Sequence, residues 1–141
     1  MSRWVFVLAV LAGACGVLQS AEAKSVTVYV APYGSDANTG RSPQRDSKMN
    51  DGPLASLDAA RLRIRQMRSV GALGPQDAVT VEFAEGEYRL EKPVLFEPVD
   101  SGAAHAPITY AAAKRARPVF FGGRRLPKFE AGDDGVWRAK I

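Results

Sequence analysis

Three glutamates that lie close together form the densest group of side chains able to do acid–base chemistry: Glu82, Glu85 and Glu87. Hydrolysis of a glycosidic bond uses two carboxyl groups roughly 5 to 10 Å apart, one acting as acid and the other as base or nucleophile. Residues two apart on a strand point to the same face, so Glu85 and Glu87 would pair if the chain were extended there. Gly86 between them favours a turn. We therefore expect a solvated corner, not a catalytic pair.

A glycine-flanked loop and a single histidine are further candidates for chemistry. Asp36 and Asn38 could offer oxygen ligands to calcium, because hard cations take carboxylate and amide oxygens from tight turns. Two ligand side chains are too few, so we expect them to satisfy the backbone of the turn instead. His105 lies between two alanines without a partner in the sequence, and we expect it in a surface loop. The sequence thus predicts no catalytic residue, no cofactor and no metal site.

Side chains that could bind a polymer also have structural interpretations. Tyr88, Phe121 and Trp137 could stack on sugar rings, but aromatic residues on short strands more often fill the core. The four arginines within residues 61–68 would form a basic helical face. Such a face could meet an anionic polymer, although a charge run is usually a solvated face. We find no phosphate-binding glycine loop, nucleophile elbow or zinc motif in the sequence.

The amino-terminal residues 1–23 have the three parts of a secretory signal. Arg3 precedes an apolar run over residues 4–18, and a small-x-small stretch at residues 21–23 follows. The run is shorter than the roughly 20 residues needed to cross a bilayer, so we expect cleavage after Ala23 and no stable membrane anchor. We therefore expect a secreted or periplasmic protein. Because the single cysteine, Cys15, lies within the run, the mature chain would have no thiol for a disulfide or a metal.

The charge of the chain is modest. It has 19 Lys and Arg against 15 Asp and Glu, a formal net charge of +4. The predicted signal carries one base and one acid, Arg3 and Glu22, so its removal leaves the net charge unchanged. A basic surface favours anionic partners such as nucleic acid or uronic-acid polysaccharides. Because we expect the protein to be exported, we do not expect nucleic acid as its partner.

One helix and a series of short strands must position these side chains. Alternation over residues 26–30 predicts a strand, and the turn-rich residues 34–53 predict a surface excursion. Apolar residues then recur every three or four positions from Leu57 to Met67, which predicts an amphipathic helix with Ser56 as its N-cap. Glycine and proline breaks divide the remainder into short strand-like segments: residues 79–83, 88–90, 94–96, 108–110, 119–121 and 136–141.

Two architectures accept this pattern of one helix and many short strands. A β-sandwich would use the strands in two sheets with polar outer faces, and a β-helix would stack them coil on coil with tight corners. The position of the helix favours the β-helix, because its first coil exposes a strand edge that needs a cap. We predict a mainly β domain over residues 24–141, formed by the first coils of a β-helix beneath an N-terminal capping α-helix, with a β-sandwich as the alternative.

Several stretches in fixed order carry a family resemblance: residues 29–40, 52–61, 86–90, 100–102, 106–110 and 122–123. With them, the chain resembles secreted bacterial right-handed parallel β-helix proteins of the pectate-lyase-like superfamily, some of which are glycoside hydrolases. The resemblance implies that the β-helix is right-handed and parallel. The chain departs from the family pattern at Glu85, where a glycine is common, and at residues 112–115, where a Tyr-Pro-Gly type of turn is usual.

The resemblance also implies a carbohydrate-related function. Proteins of this family run for several hundred residues and carry their catalytic carboxylates on later coils, so no catalytic residue can be carried over to this chain. We expect the N-terminal part of an exported polysaccharide-degrading glycoside hydrolase, a fragment or truncated reading frame that is not catalytic by itself. The alternatives are a polysaccharide lyase and a non-catalytic glycan-binding or structural surface module. The expected partner is a polysaccharide or other glycan, and the sequence does not predict the oligomeric state.

Overall fold

Two small parallel β-sheets form the centre of the molecule, with one helix beside them. The structure is a computed structural model that describes residues 23–140. In chain order, its elements are β1 (Ser25–Val30), α1 (Leu57–Ser69), β2 (Ala78–Phe83), β3 (Gly86–Arg89), a turn of 3₁₀ helix (Pro98–Asp100), β4 (Ile108–Ala112), β5 (Pro118–Phe121), β6 (Glu130–Ala131) and β7 (Trp137–Arg138).

The strands of both sheets are stacked in register. One sheet has the order β1-β2-β4 and the other pairs β3 with β5, and all of these pairings are parallel. The chain bends at Glu85 between β2 and β3, and residues 113–117 connect β4 to β5. β2 and β3 form one pass of the chain, and β4 and β5 form the next. Each of these passes contributes one strand to each sheet. Parallel pairing differs from the sandwich alternative, which is built from antiparallel sheets.

Buried side chains alternate with more exposed ones along the strands predicted at residues 26–30 and 79–83, and the buried ones form the core. In β2, Val79, Val81 and Phe83 are buried, while the residues between them are partly exposed. Because the strands are parallel and paired in register, these side chains align with those of the neighbouring strands. Val81, for example, lies between Val28 and Tyr110. Each column of side chains thus continues from one pass of the chain to the next.

Helix α1 begins at the predicted N-cap and covers one side of this core. The Ser56 side chain accepts a hydrogen bond from the Ala59 N–H at 3.1 Å, which confirms the prediction. Ala60 and Ile64 are buried and belong to the same apolar cluster as the strands. The isolated helix would be marginal, so this packing on the sheet is what stabilises it.

The loop between β1 and α1 covers the outer edge of β1. The Tyr29 N–H donates to the Gly40 carbonyl at 2.8 Å, and the Leu54 N–H donates to the Tyr29 carbonyl at 2.9 Å. The Ala31 N–H also donates to the Leu54 carbonyl at 2.8 Å. The predicted surface excursion therefore returns to the sheet and satisfies an edge that would otherwise be unpaired.

Two strand predictions are corrected by the structure. The predicted strand at residues 94–96 is wrong, because this segment is irregular; Pro93 and Pro98 on either side of it lack the N–H that a ladder needs. Of the strand predicted over residues 136–141, the described part forms only β7, which pairs antiparallel with the unpredicted β6.

The predicted signal falls almost wholly outside the described residues. Arg3, the apolar run and Cys15 are not described, and Ala23 is the first residue that is. Among residues 23–140, no helix is both long enough and apolar enough to cross a bilayer. Secretion and cleavage after Ala23 remain predictions.

Candidate functional site

A cleft of about 810 Å³ opens beside the first turns of α1, and we call it the α1 cleft. It lies between the helix, the loop of residues 36–38 and the segment of residues 89–94. Small-molecule sites have volumes of roughly 300 to 1,000 Å³, and the volume of the cleft falls within this range. The lining residues are Asp36, Ala37, Asn38, Leu54, Ser56, Leu57, Asp58, Ala59, Leu62, Arg63, Gln66, Arg89, Leu90, Glu91, Lys92 and Val94.

The loop that forms one wall of the cleft is fixed to the start of the helix by Asp36. Its Oδ1 accepts hydrogen bonds from the Ala55 and Ser56 N–H groups at 2.8 and 2.9 Å, and its Oδ2 accepts one from the Ser56 hydroxyl at 2.8 Å. Gly34 permits this approach, because a Cβ there would lie 2.2 Å from the Leu54 carbonyl oxygen. The wall is therefore held in place by the contacts of Asp36 with the backbone at the start of α1, and a residue larger than glycine does not fit at position 34.

The carboxylates of the cleft are engaged in contacts within the chain. Both oxygens of Asp36 accept hydrogen bonds. Asp58 Oδ1 accepts from Arg61 Nε and Nη2 at 3.0 and 2.7 Å, and Asp58 Oδ2 lies 4.0 Å from Lys92 Nζ. An oxygen that already accepts hydrogen bonds within the chain is less free to contact a ligand or to transfer a proton. The cleft can therefore offer hydrogen bonds to a ligand, but these two groups are poorly suited as an acid–base pair.

Among the described residues that line the cleft, the exposed charged side chains are two cations, Arg89 and Lys92, and one carboxylate, Glu91. Arg63 donates to the Thr39 carbonyl at 3.2 Å and to the Gln66 side chain at 2.7 Å. Arg89 lies 3.7 Å from Glu91, and the Lys92 side chain is 79% exposed. The residues that line the cleft include no aromatic side chain. Recognition of a sugar here would rest on hydrogen bonds and charge instead of ring stacking.

The remaining arginines of α1 hold a distant loop instead of facing solvent. Arg65 binds the buried Asp100 through two contacts, Nε to Oδ1 at 2.5 Å and Nη2 to Oδ2 at 2.6 Å. Arg61 Nη1 approaches Asp100 Oδ2 at 3.4 Å, and the Glu97 N–H donates to the same oxygen at 2.8 Å. Hydrogen bonds from Arg65 hold the pKa of Asp100 well below its usual range and outweigh the opposite effect of burial. The same contacts raise the pKa of Arg65.

This arrangement corrects the interpretation of the basic helical face. Arg61 is buried, and Arg68 donates to the Val99 and Ser101 carbonyls at 2.8 and 3.1 Å. Together with Arg65, they clamp the 3₁₀ turn onto the helix, so the interpretation as a solvated or polymer-binding face is wrong for these three residues. No local pattern in the sequence indicates this clamp, because the acceptors in and beside the 3₁₀ turn lie more than thirty positions further along the chain.

The three glutamates do not form a pair. Glu85 lies at the bend and accepts a hydrogen bond from the Arg117 N–H, whereas both oxygens of Glu87 contact Arg125 Nη2 at 2.6 Å. Gly86 between them has φ +136, which favours glycine, and a Cβ there would lie 2.6 Å from Pro32 Cγ. The predicted corner is confirmed. Glu82 lies on β2, on the face opposite to the buried residues.

The loop residues proposed as ligands serve the backbone. Asn38 Nδ2 donates to the Pro53 carbonyl at 2.8 Å, and Asp36 holds the start of α1 as described above. In the part of the chain that the structure describes, no three His, Cys, Asp or Glu side chains gather in a way that could hold a metal ion. His105 is exposed in the loop before β4, where the sequence predicted it.

Of the aromatic residues considered as sugar-stacking platforms, Tyr88 belongs to the core. Its hydroxyl donates to the Val30 and Ala84 carbonyls at 3.1 and 2.9 Å, and burial raises the pKa of Tyr88 to about 12. Its ring stacks on Phe120 with centroids 5.0 Å apart. Phe121 is partly buried, but Trp137 is 65% exposed, so the prediction of a core position is wrong for Trp137.

Comparison with known proteins adds a likeness of fold. No protein-family model matches the chain, and no curated protein does. A solved structure named "Glycoside hydrolase" is similar over 77% of this chain, with a TM-score of 0.64 and 24% sequence identity. The similar region is 17% of that solved chain, so this chain spans about a sixth of its length. The chain therefore has the fold of one portion of a protein that bears this name.

Proposed function

We propose that residues 24–141 form the first coils of a right-handed parallel β-helix, and that the protein is exported and hydrolyses glycosidic bonds of a polysaccharide. The observation that carries the proposal is the likeness, over 77% of the chain, to part of a solved structure named glycoside hydrolase. The parallel, in-register stacking of both sheets supports the β-helix, because coils of such a solenoid contact their neighbours in this way. The signal-like residues 1–23 support export.

In this proposal, the described part of the protein supports or binds a glycan and does not cleave it. Asp36 and Asp58 of the α1 cleft are bound within the chain, which leaves Glu91 as the one exposed carboxylate among its described residues. Glu85 and Glu87 contact different partners on the two sides of a corner. Hydrolysis needs two carboxyl groups that face one bond. We therefore expect the catalytic pair on further coils of a longer polypeptide.

A non-catalytic glycan-binding module is the second candidate, and the α1 cleft favours it. The cleft has the volume of a ligand site, and its exposed cations are Arg89 and Lys92. These side chains suit a polysaccharide with carboxylate or hydroxyl groups, since both accept hydrogen bonds from arginine and lysine. Binding without cleavage is what both candidates expect of this part of the protein.

Affinity electrophoresis combined with cleavage assays tests the proposal. Purified residues 24–141 are run through gels that contain neutral or uronic-acid polysaccharides, and the same mixtures are assayed for new reducing ends and for unsaturated uronates. We expect retardation by at least one polysaccharide and no cleavage product. The double variant Arg89→Ala/Lys92→Ala should lose the retardation, because it removes the exposed cations of the cleft.

The matched control is Arg124→Ala/Lys128→Ala, which removes the same charges outside the cleft and should be retarded like the unaltered chain. If both variants lose the retardation equally, the binding depends on the net charge of the chain and not on the cleft. Passage unhindered through every polysaccharide would contradict a glycan partner. Reducing ends or unsaturated uronates released by the purified chain would contradict the non-catalytic role, and unsaturated uronates would point to the lyase alternative.

A further inference from the structure

A buried carboxylate holds the backbone just before β1. Asp77 is 6% exposed, and its Oδ1 accepts a hydrogen bond from the backbone nitrogen of Lys24 at 2.9 Å. Its Oδ2 accepts one from the Gly74 N–H at 2.8 Å. The Lys24 carbonyl in turn accepts from the Ala78 N–H at 2.9 Å. Both backbone groups of Lys24 are therefore fixed against the start of β2.

The partners of this carboxylate carry little charge. The two hydrogen-bonded groups are backbone amides, and these bonds lower the pKa of Asp77, so that it is ionised at neutral pH. The Lys24 side chain places its Nζ 4.0 Å from Oδ2, beyond hydrogen-bond distance, and is 64% exposed. An exposed cation at that distance is screened by water and contributes little. The Lys24 backbone nitrogen is therefore the donor that Asp77 Oδ1 accepts from, and it carries no charge while it belongs to a peptide bond.

We propose that Asp77 is the receptor for the amino terminus that cleavage after Ala23 would create. Hydrolysis of the Ala23–Lys24 peptide bond by a peptidase consumes one water: its oxygen becomes part of a carboxylate on the removed segment, and its two hydrogens go to the Lys24 nitrogen, which becomes an α-ammonium. That nitrogen already lies 2.9 Å from Asp77 Oδ1, so the new charge forms beside its counter-ion without movement of the backbone. This inference rests on the proposed export.

Removal of the signal would thereby stabilise the fold. The bond from the amide is already assisted by the charge of Asp77, and an ammonium in the same place adds a direct attraction between opposite charges that favours its protonated form. The folded chain should gain about tenfold in its folding equilibrium when the terminus becomes Lys24, which corresponds to a rise of about one unit in the pKa of the α-ammonium. The chain that still carries residues 1–23 lacks this contact and would be the less stable form.

Titration of the α-amine by NMR in the chain of residues 24–141 tests the proposal directly. The ordinary pKa of an α-ammonium is about 7.7 to 8.0, and we expect it about one unit higher here. The charged groups that face this amine are the Asp77 carboxylate and the ammonium of Lys24 itself; Gly74 and Ala78 present backbone groups. At any pH at which Asp77 is ionised, the stabilisation is complete below pH about 8, and it is lost as the pH rises through the raised pKa. An ordinary pKa would overturn the proposal.

Urea unfolding in a thermodynamic cycle gives a second, independent test. The chain that begins at Lys24 is compared with one extended by Gly-Gly-Ala, which keeps the amide hydrogen bond and moves the ammonium up to about 10 Å away. We expect the extension to lower the folding equilibrium constant about tenfold with Asp77, and to have no effect in Asp77→Asn. Equal effects of the extension in both backgrounds would overturn the proposal, and if Asp77→Asn does not fold, the titration decides.

Failure of this inference is distinguishable from failure of the proposed function. The mass of the exported chain reports whether cleavage occurs after Ala23, and the polysaccharide assays report the glycan activity. The Lys24→Ala variant keeps the α-ammonium and removes the side-chain cation. It should therefore retain the raised α-amine pKa, and its return to the ordinary value would assign the effect to the side chain and contradict the proposal.

Discussion

Asp100 connects parts of the chain that no local pattern relates. Its side chain is almost fully buried, and the two arginines that contact it come from consecutive turns of α1. A buried carboxylate needs such partners, because desolvation alone would favour its neutral form. Since Arg61 is also tied to Asp58, the network joins the first turn of the helix to the 3₁₀ turn. Removal of one partner should therefore leave buried charge uncompensated.

The substitution Asp100→Asn should lower the free energy of unfolding by about 2 to 3 kcal/mol. This is less than the roughly 3 to 5 kcal/mol lost when a fully buried pair is broken, because the Arg65 side chain is 26% exposed. Glu97→Gln is the control: Glu97 contacts the same Arg65 but is 52% exposed, so its loss should be below about 1 kcal/mol. Urea unfolding at neutral pH measures both, and equal losses would contradict the buried network.

The same variant carries a pH signature. Because the pKa of Asp100 is lowered by folding, its contribution to stability is present above its unfolded pKa of about 3.9 and is lost as the pH falls through the lower folded value. The difference between the unaltered chain and Asp100→Asn should therefore shrink in acid. A difference that stays constant from neutral to acidic pH would assign the loss to packing.

At the scale of elements, the start of α1 controls one wall of the α1 cleft. Ser56 caps the helix and also donates to Asp36, so one hydroxyl links the helix to the loop. Ser56→Ala should lower the free energy of unfolding by about 1 to 2 kcal/mol, the upper part of the range for N-caps, since two contacts are lost. Hydrogen exchange should be faster in the first turn of α1.

Ser69→Ala is the matched control for this prediction. Ser69 lies at the other end of the same helix, is exposed and bonds only to the Gln66 carbonyl among its described contacts. Its replacement should change the stability by less than about 0.5 kcal/mol. If both alanine variants lose the same stability, loss of a hydroxyl at either end of the helix has the same effect and the cap makes no special contribution.

The elements with a strong local period could be predicted from the sequence. The alternation of residues 26–30 and the three-to-four spacing of α1 arise because one face of each element is buried. The order of apolar and polar residues within the element itself indicates that face. The failure at residues 94–96 has a physical reason, because Val94, Leu95 and Phe96 are typical of strands but have no neighbouring strand to pair with. Strand propensity expresses fit to a sheet, so it cannot create a strand by itself.

The α1 cleft could be predicted only in part. The capping role of Ser56 follows from the local sequence. Asp36 is predicted to bond the backbone of its own turn, but it accepts hydrogen bonds from residues 55 and 56, about twenty positions further along the chain. The position of Arg89 and Lys92 opposite the helix depends on the corner at Gly86 and on how β3 leaves it, and neither is encoded in a local spacing. The sequence therefore identified the helix cap beside the cleft, while the contact of Asp36 with that cap and the side chains exposed in the cleft depend on the fold.

At the scale of the molecule, burial changes from one pass of the chain to the next. Phe83 and Tyr88, in β2 and β3, are 3% and 4% exposed, whereas Phe120, which stacks on Tyr88 from the next pass, is 39% exposed. The outer edge of β1 is covered by the loop of residues 31–54, but β4 and β5 are edge strands of the described sheets. The core is thus closed at one end and uncovered at the other.

Hydrogen exchange should reveal this asymmetry at single amides. The Ala113 N–H donates to the Phe83 carbonyl, so the period of two directs the Thr109 and Ala111 amides towards β2 and those of Tyr110 and Ala112 away from it. NMR-detected exchange should find slow and fast amides in alternation along β4. In β2, which has a partner on both sides, consecutive amides should all be slow, because every N–H is bonded within the sheet. Uniform protection along β4 would mean that another strand covers its edge, and the uncovered end of the core would then be wrong.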